Sequence, residues 1–581
     1  MRLFLQLRGF FRQHWQTYLL AMAMLACVAL LNTAVPWLIG TTIDQLIAAG
    51  ELAAVTDKLW LLLAMALVIY GLRFGWRLVL FGTSYRLGSL LRKQFYQRLT
   101  RLGSVFYSQQ GTGDLMARAT NDIDAIEVAA GEGVLSAFDG LLTFVLVLIM
   151  MLTLIDWRLT LVALLPFPFM GWGFYRISVS VHQQFQQALA RFSDLNDKTQ
   201  EALSGIRLVK AMGREAAEAE QFNQLARKAA DTSFQVARSE ALYEPLIYLA
   251  LTGAMLLTLS FGGYLYWHNE LTVGQLTSFT IYMGQLIWPM WAFGWLLNII
   301  ERGSAAMVRV DALLKTPDSI DDQGQQSAQH SALHCQQLSF RYTADGPDIL
   351  HSIDLQLAPG KTLAIVGPTG AGKTTLLQLL MRQWECEPGT ITLGDTPLAQ
   401  LSLDSLRRQF AYVPQDNFLF SLSIADNIAL SHPDADQDEI EQVARLAALH
   451  DDIVGFPAGY QTAVGERGVT LSGGQRQRLT IARALLSQAS VLVLDDALSA
   501  VDVQTEQQIL AALDTQRQSD SGRSCLIVSH RLSAVQQADE IIVLSHGQIA
   551  ERGNHQQLLQ SDGWYSRMWT YQQLEASLDD D

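Results

Sequence analysis

The first three hundred residues hold six apolar stretches, at 18–39, 59–81, 134–155, 159–180, 245–267 and 276–300. Each is near or above the roughly 20 residues that a helix needs to cross the hydrocarbon core of a bilayer. Their recurrence in one half of the chain favours membrane spans over soluble core helices. The first stretch is too long for a secretory leader and lacks a small-residue cleavage site, so it is expected to stay in the membrane. The 581 residues alone would allow about four domains; the spans override that expectation.

Basic residues orient the spans. Arg2, Arg8 and Arg12 precede the first span, and Arg86, Arg92, Lys93, Arg98 and Arg101 follow the second. The segments after spans one and five carry Asp44, Glu51, Asp57 and Glu270 instead. By the positive-inside rule the N-terminus and the long loops face the cytoplasm. Leu3, Phe4, Leu7, Phe10 and Phe11 among basic positions predict an amphipathic helix lying in the interface.

The second half carries phosphate chemistry. Val491-Leu492-Val493-Leu494-Asp495 is an apolar strand ending in a carboxylate, the Walker B pattern in which the Asp holds Mg²⁺. Upstream, the apolar strand Leu363-Ala364-Ile365-Val366 runs into Gly367-Pro368-Thr369-Gly370-Ala371-Gly372-Lys373-Thr374-Thr375 and then a helical run. This is a phosphate-binding loop. Gly367, Gly370 and Gly372 let backbone N–H groups approach the phosphates, alongside Thr369 and Thr375. Lys373 reaches the β- and γ-phosphates, and the Thr374 hydroxyl ligates Mg²⁺. Between these elements lies Leu471-Ser472-Gly473-Gly474-Gln475, just before another helical run. Ser472 can donate a hydrogen bond to a phosphate, Gly473 and Gly474 let the backbone close on it, and the helix dipole favours the anion.

Together these motifs resemble the ATP-binding cassette (ABC) superfamily. In that resemblance Gln415, in Tyr412-Val413-Pro414-Gln415-Asp416, is the Q-loop residue, which also reaches Mg²⁺. Asp502 is the D-loop aspartate, His530 the histidine that contacts the γ-phosphate, and Tyr342 the aromatic that stacks on adenine. Val464-Gly465-Glu466-Arg467-Gly468 resembles the X-loop of exporters. Phe106-Tyr107 with Gly113-Asp114-Leu115-Met116-Ala117-Arg118 is similar to the family's first intracellular loop, and Glu201-Ala202-Leu203-Ser204-Gly205-Ile206-Arg207-Leu208-Val209-Lys210 to its second. The implied fold is a membrane α-helical domain of six transmembrane helices with long cytoplasmic extensions, followed by an α/β P-loop cassette. The expected divisions are 1–315 for the membrane domain, 316–330 for a linker around Thr316-Pro317-Asp318, 331–575 for the cassette and 576–581 for an acidic tail.

One membrane domain and one cassette make half a transporter. The resemblance implies a second half, because each ATP site takes its Walker A from one cassette and its signature from the other. It also marks a departure at Asp496, where the family usually has the Glu that orients the attacking water. Asp is shorter by one C–C bond, about 1.5 Å, and a displacement near 1 Å can cost about 10²-fold in rate. Asp496 is the candidate catalytic carboxylate, with Gln415 and His530. Bacterial heterodimeric exporters of the multidrug-resistance-like kind place Asp here in one half, and the chain most resembles those halves. That implies ATP-driven export of amphipathic drugs or lipids across the bacterial inner membrane. Two other readings stay open: a homodimeric lipid flippase, and an ATP-binding half that regulates or gates a channel without transport.

For cargo, Arg73 and Arg77 lie one helical turn apart on span two and can face a lipid headgroup or pair with Asp139 or Glu132. Trp288, Trp291 and Trp295 recur at helical spacing and can receive flat lipophilic molecules or simply pack. Cys27, Cys335, Cys386 and Cys525 are scattered, as expected of a reducing compartment. A net charge of −15 argues against a nucleic-acid partner.

Overall fold

The computed structural model describes residues 2–50, 55–320, 322–329, 332–343, 345–465, 471–519 and 523–579. The chain divides into two compact units, Met1–Leu99 with Gly113–Thr316, and Thr100–Thr112 with Pro317–Asp581.

The first unit is helical. Trp15–Ala49, Thr56–Leu99, Thr112–Ile155 and Glu215–Trp267 are long and apolar enough to cross a membrane. The other two expected spans are interrupted. Residues 159–180 are broken at Leu165, between helices Trp157–Leu164 and Pro166–Ser204, and 276–300 at Leu286, between Val273–Gln285 and Ile287–Leu314. Proline is the cause, because it lacks an N–H and its ring crowds the preceding turn. Ahead of Pro166, Leu165 N–H bonds back only three residues, to the Val162 carbonyl at 3.3 Å. Ahead of Pro289, Leu286 N–H is shared between the Tyr282 and Met283 carbonyls, each at 3.3 Å.

Small residues let the helices touch. A Cβ on Gly274 would lie 2.0 Å from the Gly40 carbonyl oxygen, so these backbones pack directly. Asp44 secures the contact by accepting from Gly274 N–H at 2.8 Å and the Thr272 hydroxyl at 2.6 Å. The N-terminal segment packs one face against the protein. Its helices Arg2–Gln6 and Arg8–Gln13 bury Leu3, Leu7 and Phe10 inside the protein. Leu3 packs where Gly303 leaves room, since a Cβ there would sit 3.1 Å from Leu3 Cδ2. Hydrophobic periodicity alone does not reveal this glycine notch.

The second unit holds two sheets. One runs Leu350–Leu357, Leu333–Phe340, Ile391–Leu393, Thr396–Pro397 and is antiparallel. The other has the order Gln548–Gly553, Glu540–Ser545, Thr362–Val366, Ser524–Val528, Val491–Asp495, Phe410–Val413. In this second sheet all neighbours pair in parallel except the edge strand Gln548–Gly553. Thr362–Val366 and Val491–Asp495 are buried at every position, which is why they read as unbroken apolar runs. Parallel pairing brings the carboxyl ends of these strands to one edge, where ligands of open α/β sheets bind. Asp495 ends a strand there, and Gly367 and His530 follow strands that end there. The last helix, Trp564–Asp579, continues through 576–579.

Candidate active site

The phosphate loop owes its shape to glycine. Gly367 has φ 147°, and a Cβ there would lie 2.0 Å from the Leu544 carbonyl oxygen. Gly372, at φ 98°, opens helix Lys373–Leu380 without any side-chain cap. Its first-turn N–H groups therefore lack a side-chain acceptor, an arrangement that suits an anion.

Lys373 is 6% exposed, and its ammonium donates to the Gly367 and Pro368 carbonyls at 2.9 and 3.0 Å. Burial pushes its pKa down, opposed by the charges of Asp496 and Asp495. Asp495 is 1% exposed and accepts from the Thr374 hydroxyl at 3.4 Å and the Tyr412 hydroxyl at 3.2 Å. Burial raises its pKa against those hydrogen bonds. The Lys373 ammonium and the N–H groups of the helix start suit a phosphate, and the hydroxyl and carboxylate oxygens of Thr374 and Asp495 are the donor type that a hard divalent ion takes.

Asp496 follows directly. Its φ of 50° lies in the left-handed region, which short polar side chains tolerate best. Its N–H donates to the Val528 carbonyl at 2.8 Å, and its carboxylate accepts from His530 N–H at 3.4 Å. The sheet thus brings Lys373, Thr374, Asp495, Asp496 and the backbone of His530 into one network. Thr369, Gln415 and the His530 side chain are exposed beside it. Tyr342 is 42% exposed; its hydroxyl pairs with the Thr375 hydroxyl at 2.8 Å, and its ring stands edge-on to Trp384 at 4.7 Å.

The signature forms a separate part. Ser472 caps helix Gly473–Leu486 in a reciprocal box: its hydroxyl accepts from Gln475 N–H at 3.2 Å, and Gln475 Oε1 accepts from Ser472 N–H at 3.0 Å. The Ser472 proton stays available to donate outward. Gln475 is committed to the cap and to Asp452, at 2.9 Å, rather than held free for a ligand. A Cβ on Gly474 would lie 3.0 Å from the Ala500 carbonyl oxygen. Asp502 caps the next helix by accepting from Thr505 N–H at 2.9 Å, which lowers its pKa. Among the described residues no hydrogen bond joins Ser472, Gly473 or Gly474 to the phosphate loop. Positions 466–470 of the expected X-loop lie outside the described residues.

Three residues absent from the sequence reading hold these parts in register. Gln477 is 1% exposed; it accepts from Ala500 N–H at 2.8 Å and donates to the Asp496 carbonyl at 3.2 Å. Arg531 donates to the Val501 and Ser499 carbonyls at 2.9 and 3.1 Å, and pairs at 2.9 Å with Glu506, itself 1% exposed. Arg531→Ala leaves that buried carboxylate, among the described residues, with the Ser533 hydroxyl 2.9 Å away. We expect a loss of about 3 kcal/mol, read as a lower thermal unfolding midpoint for the cassette, with Arg531→Lys losing less.

Residues 18–290 match the family model for the ABC transporter transmembrane region, and 350–499 that for the ABC transporter. The Escherichia coli (strain K12) multidrug resistance-like ATP-binding protein MdlA is 47% identical across 100% of this chain and 98% of its own. The chain belongs to the ABC transporter family. A Ralstonia nicotianae ATP-dependent lipid A-core flippase is 34% identical over 97% of the chain and 95% of its own. The structure of a bacterial Atm1-family ABC exporter with ATP bound superposes with a TM-score of 0.78 at 27% identity, covering 97% of this chain and 98% of that one. The chain is an ATP-hydrolysing ABC exporter half-transporter and a multi-pass membrane protein.

In the membrane unit of this ABC half-transporter, Arg77 and the two carboxylates take partners other than each other. The Arg77 guanidinium lies over the Trp76 ring, 5.6 Å from its centroid. Asp139 and Glu132 instead accept from indoles: Trp288 Nε1–H at 2.9 Å and Trp295 Nε1–H at 3.3 Å. Arg73 acts on Asp139 through space without forming an ion pair among the described residues.

Proposed function

We propose that this half-transporter drives ATP-powered export of amphipathic small molecules, drugs or lipids, across the bacterial inner membrane. We further propose that it works as one half of a heterodimer whose own Walker B site is impaired. Asp496 is the observation that carries the reading. In sequence it directly follows Asp495, the position at which the family resemblance implies the water-orienting Glu, and its backbone N–H is tied to the Val528 carbonyl. The printed name of the E. coli relative, multidrug resistance-like, supports export of drugs.

In this reading Lys373, the N–H groups of Gly367, Gly370 and Gly372, and the Thr369 and Thr375 hydroxyls bind the ATP phosphates, with Tyr342 against adenine. Thr374, Gln415 and Asp495 would hold Mg²⁺, which would supply neutralisation of phosphate charge. Asp496 and His530 position the attacking water, the former short of full reach. Ser472, Gly473 and Gly474, supported by Gln475 and Asp502, face the partner's ATP and stabilise charge that develops there. Helix Ile206–Ala211 presents Ile206 and Leu208 to solvent, 41% and 62% exposed, and docks on the partner's cassette. The basic loops place both cassettes in the cytoplasm. A homodimeric lipid flippase is the second reading, favoured by the relationship to the Ralstonia flippase.

Inside-out vesicles carrying the assembled transporter test this. ATP-dependent uptake of an amphipathic dye is expected, and Asp496→Ala should leave its rate within about twofold. Absence of any ATP-dependent uptake refutes export, whereas a tenfold loss on Asp496→Ala refutes the impaired site.

A further inference from the structure

Two carboxylates and three indoles of the membrane unit form one structure. Trp288, Trp291 and Trp295 stack in a ladder on helix Ile287–Leu314, with ring centroids 6.3 and 5.7 Å apart and planes 26° and 14° apart. The facing segments are Ala129–Gly133, a π-helical turn, and helix Val134–Met150. They carry Glu132 and Asp139 with the same seven-residue spacing that separates Trp295 and Trp288. The two helices run antiparallel in this register, so Asp139 meets Trp288 and Glu132 meets Trp295. Close packing sets the register: a Cβ on Gly140 would lie 3.2 Å from Ala292 Cβ, and one on Gly133 would lie 3.4 Å from Ile299 Cγ2.

The chemistry is one-sided. An ionised carboxylate in an apolar segment is costly and calls for a partner. Each receives a neutral N–H donor, which orients it without cancelling its charge. Among the described residues neither carboxylate has an ion-pair partner, although Arg73 acts on Asp139 from a distance. The stack is partly exposed along its length, with Trp288, Trp291 and Trp295 exposed by 42%, 57% and 41%. π-Faces and unpaired carboxylates both attract cations. A π-helical turn at Glu132 fits a functional position.

We propose that this ladder is a binding site for lipophilic monocations, with Glu132 and Asp139 selecting positive charge and the indole stack offering aromatic surface between them. The proposal rests on the export reading above and names the charge class of its cargo. An anionic lipid headgroup does not fit this face, and a neutral amphiphile leaves both carboxylates without a counter-ion.

Two ions of nearly the same shape and opposite charge provide the test. Tetraphenylphosphonium and tetraphenylborate are titrated calorimetrically into the full-length chain assembled with its partner half in nanodiscs. We expect the phosphonium to bind and the borate not to bind at the same sites. Glu132→Gln and Asp139→Asn keep an oxygen acceptor for each indole N–H, so the ladder stays in place. Each should weaken phosphonium binding about tenfold, and the double variant more. Trp291→Ala should weaken it without creating borate binding. Equal binding of the two ions, or unchanged phosphonium affinity in E132Q/D139N, overturns the proposal. If the double variant instead dissociates the complex on size exclusion, the carboxylates serve the contact between halves and the proposal also fails. ATP-dependent uptake of a neutral amphiphile that persists while phosphonium binding is absent disproves the site and leaves the export reading intact.

Discussion

Replacing Ser472 by arginine should cut steady-state ATP turnover of the assembled transporter at least about 10²-fold, although Ser472 lies outside this chain's own phosphate loop. The serine hydroxyl accepts from Gln475 N–H and keeps its proton to donate, at the start of helix Gly473–Leu486. Loss of one preorganised donor to a developing phosphate charge costs about 10²- to 10³-fold. Arginine also removes the cap, at about 1 kcal/mol, so a fold control is needed. Ser472→Asp keeps a capping oxygen and sets a negative charge against the phosphate. It should retain the unfolding midpoint and still lose turnover, measured as phosphate release at saturating ATP. Normal turnover in Ser472→Asp would show that this signature serves no working site.

Lengthening Asp496 should have the opposite sign. With the partner's Walker B glutamate replaced by Gln, residual turnover comes from the site built on this chain's Walker motifs. Asp496→Glu should raise that residual rate about 10²-fold, because it restores the reach that a shortfall near 1 Å removes. The backbone opposes the change, since φ of 50° suits Asp better than Glu. That penalty is at most about 1–2 kcal/mol, against roughly 2.7 kcal/mol for a 10²-fold rate gain. The gain therefore survives, and the measurement is single-turnover hydrolysis in the double variant. An unchanged rate would place the defect elsewhere in the site.

What could be read from residues alone follows from the range of the interactions. The spans are legible because a bilayer demands length and apolarity of one continuous segment. The phosphate loop is legible because Gly367 and Gly372 need backbone conformations that other residues avoid. The breaks at Leu165 and Leu286 were signalled by Pro166 and Pro289, but hydropathy weighs transfer from water and is blind to a missing N–H. The cap at Ser472 was also legible, as a Ser with Gln three residues on. Other features needed the fold. Glu506 and Arg531 lie 25 positions apart, and Trp295 and Glu132 are separated by 163. Such pairings depend on which helices and strands meet, and no local pattern encodes that. Leu3 is similar: its apolar character was plain, but the notch at Gly303 that receives it was not.

An asymmetric pair, with this chain lending its signature to a partner's working site, is the central claim. Its most direct test is the subunit composition of the complex purified from its native membrane through a tag on this chain. We expect a second half-transporter at one-to-one, with Glu after its Walker B Asp. Recovery of this chain alone, as an active homodimer, would contradict the account and make Asp496 the carboxylate that hydrolysis depends on.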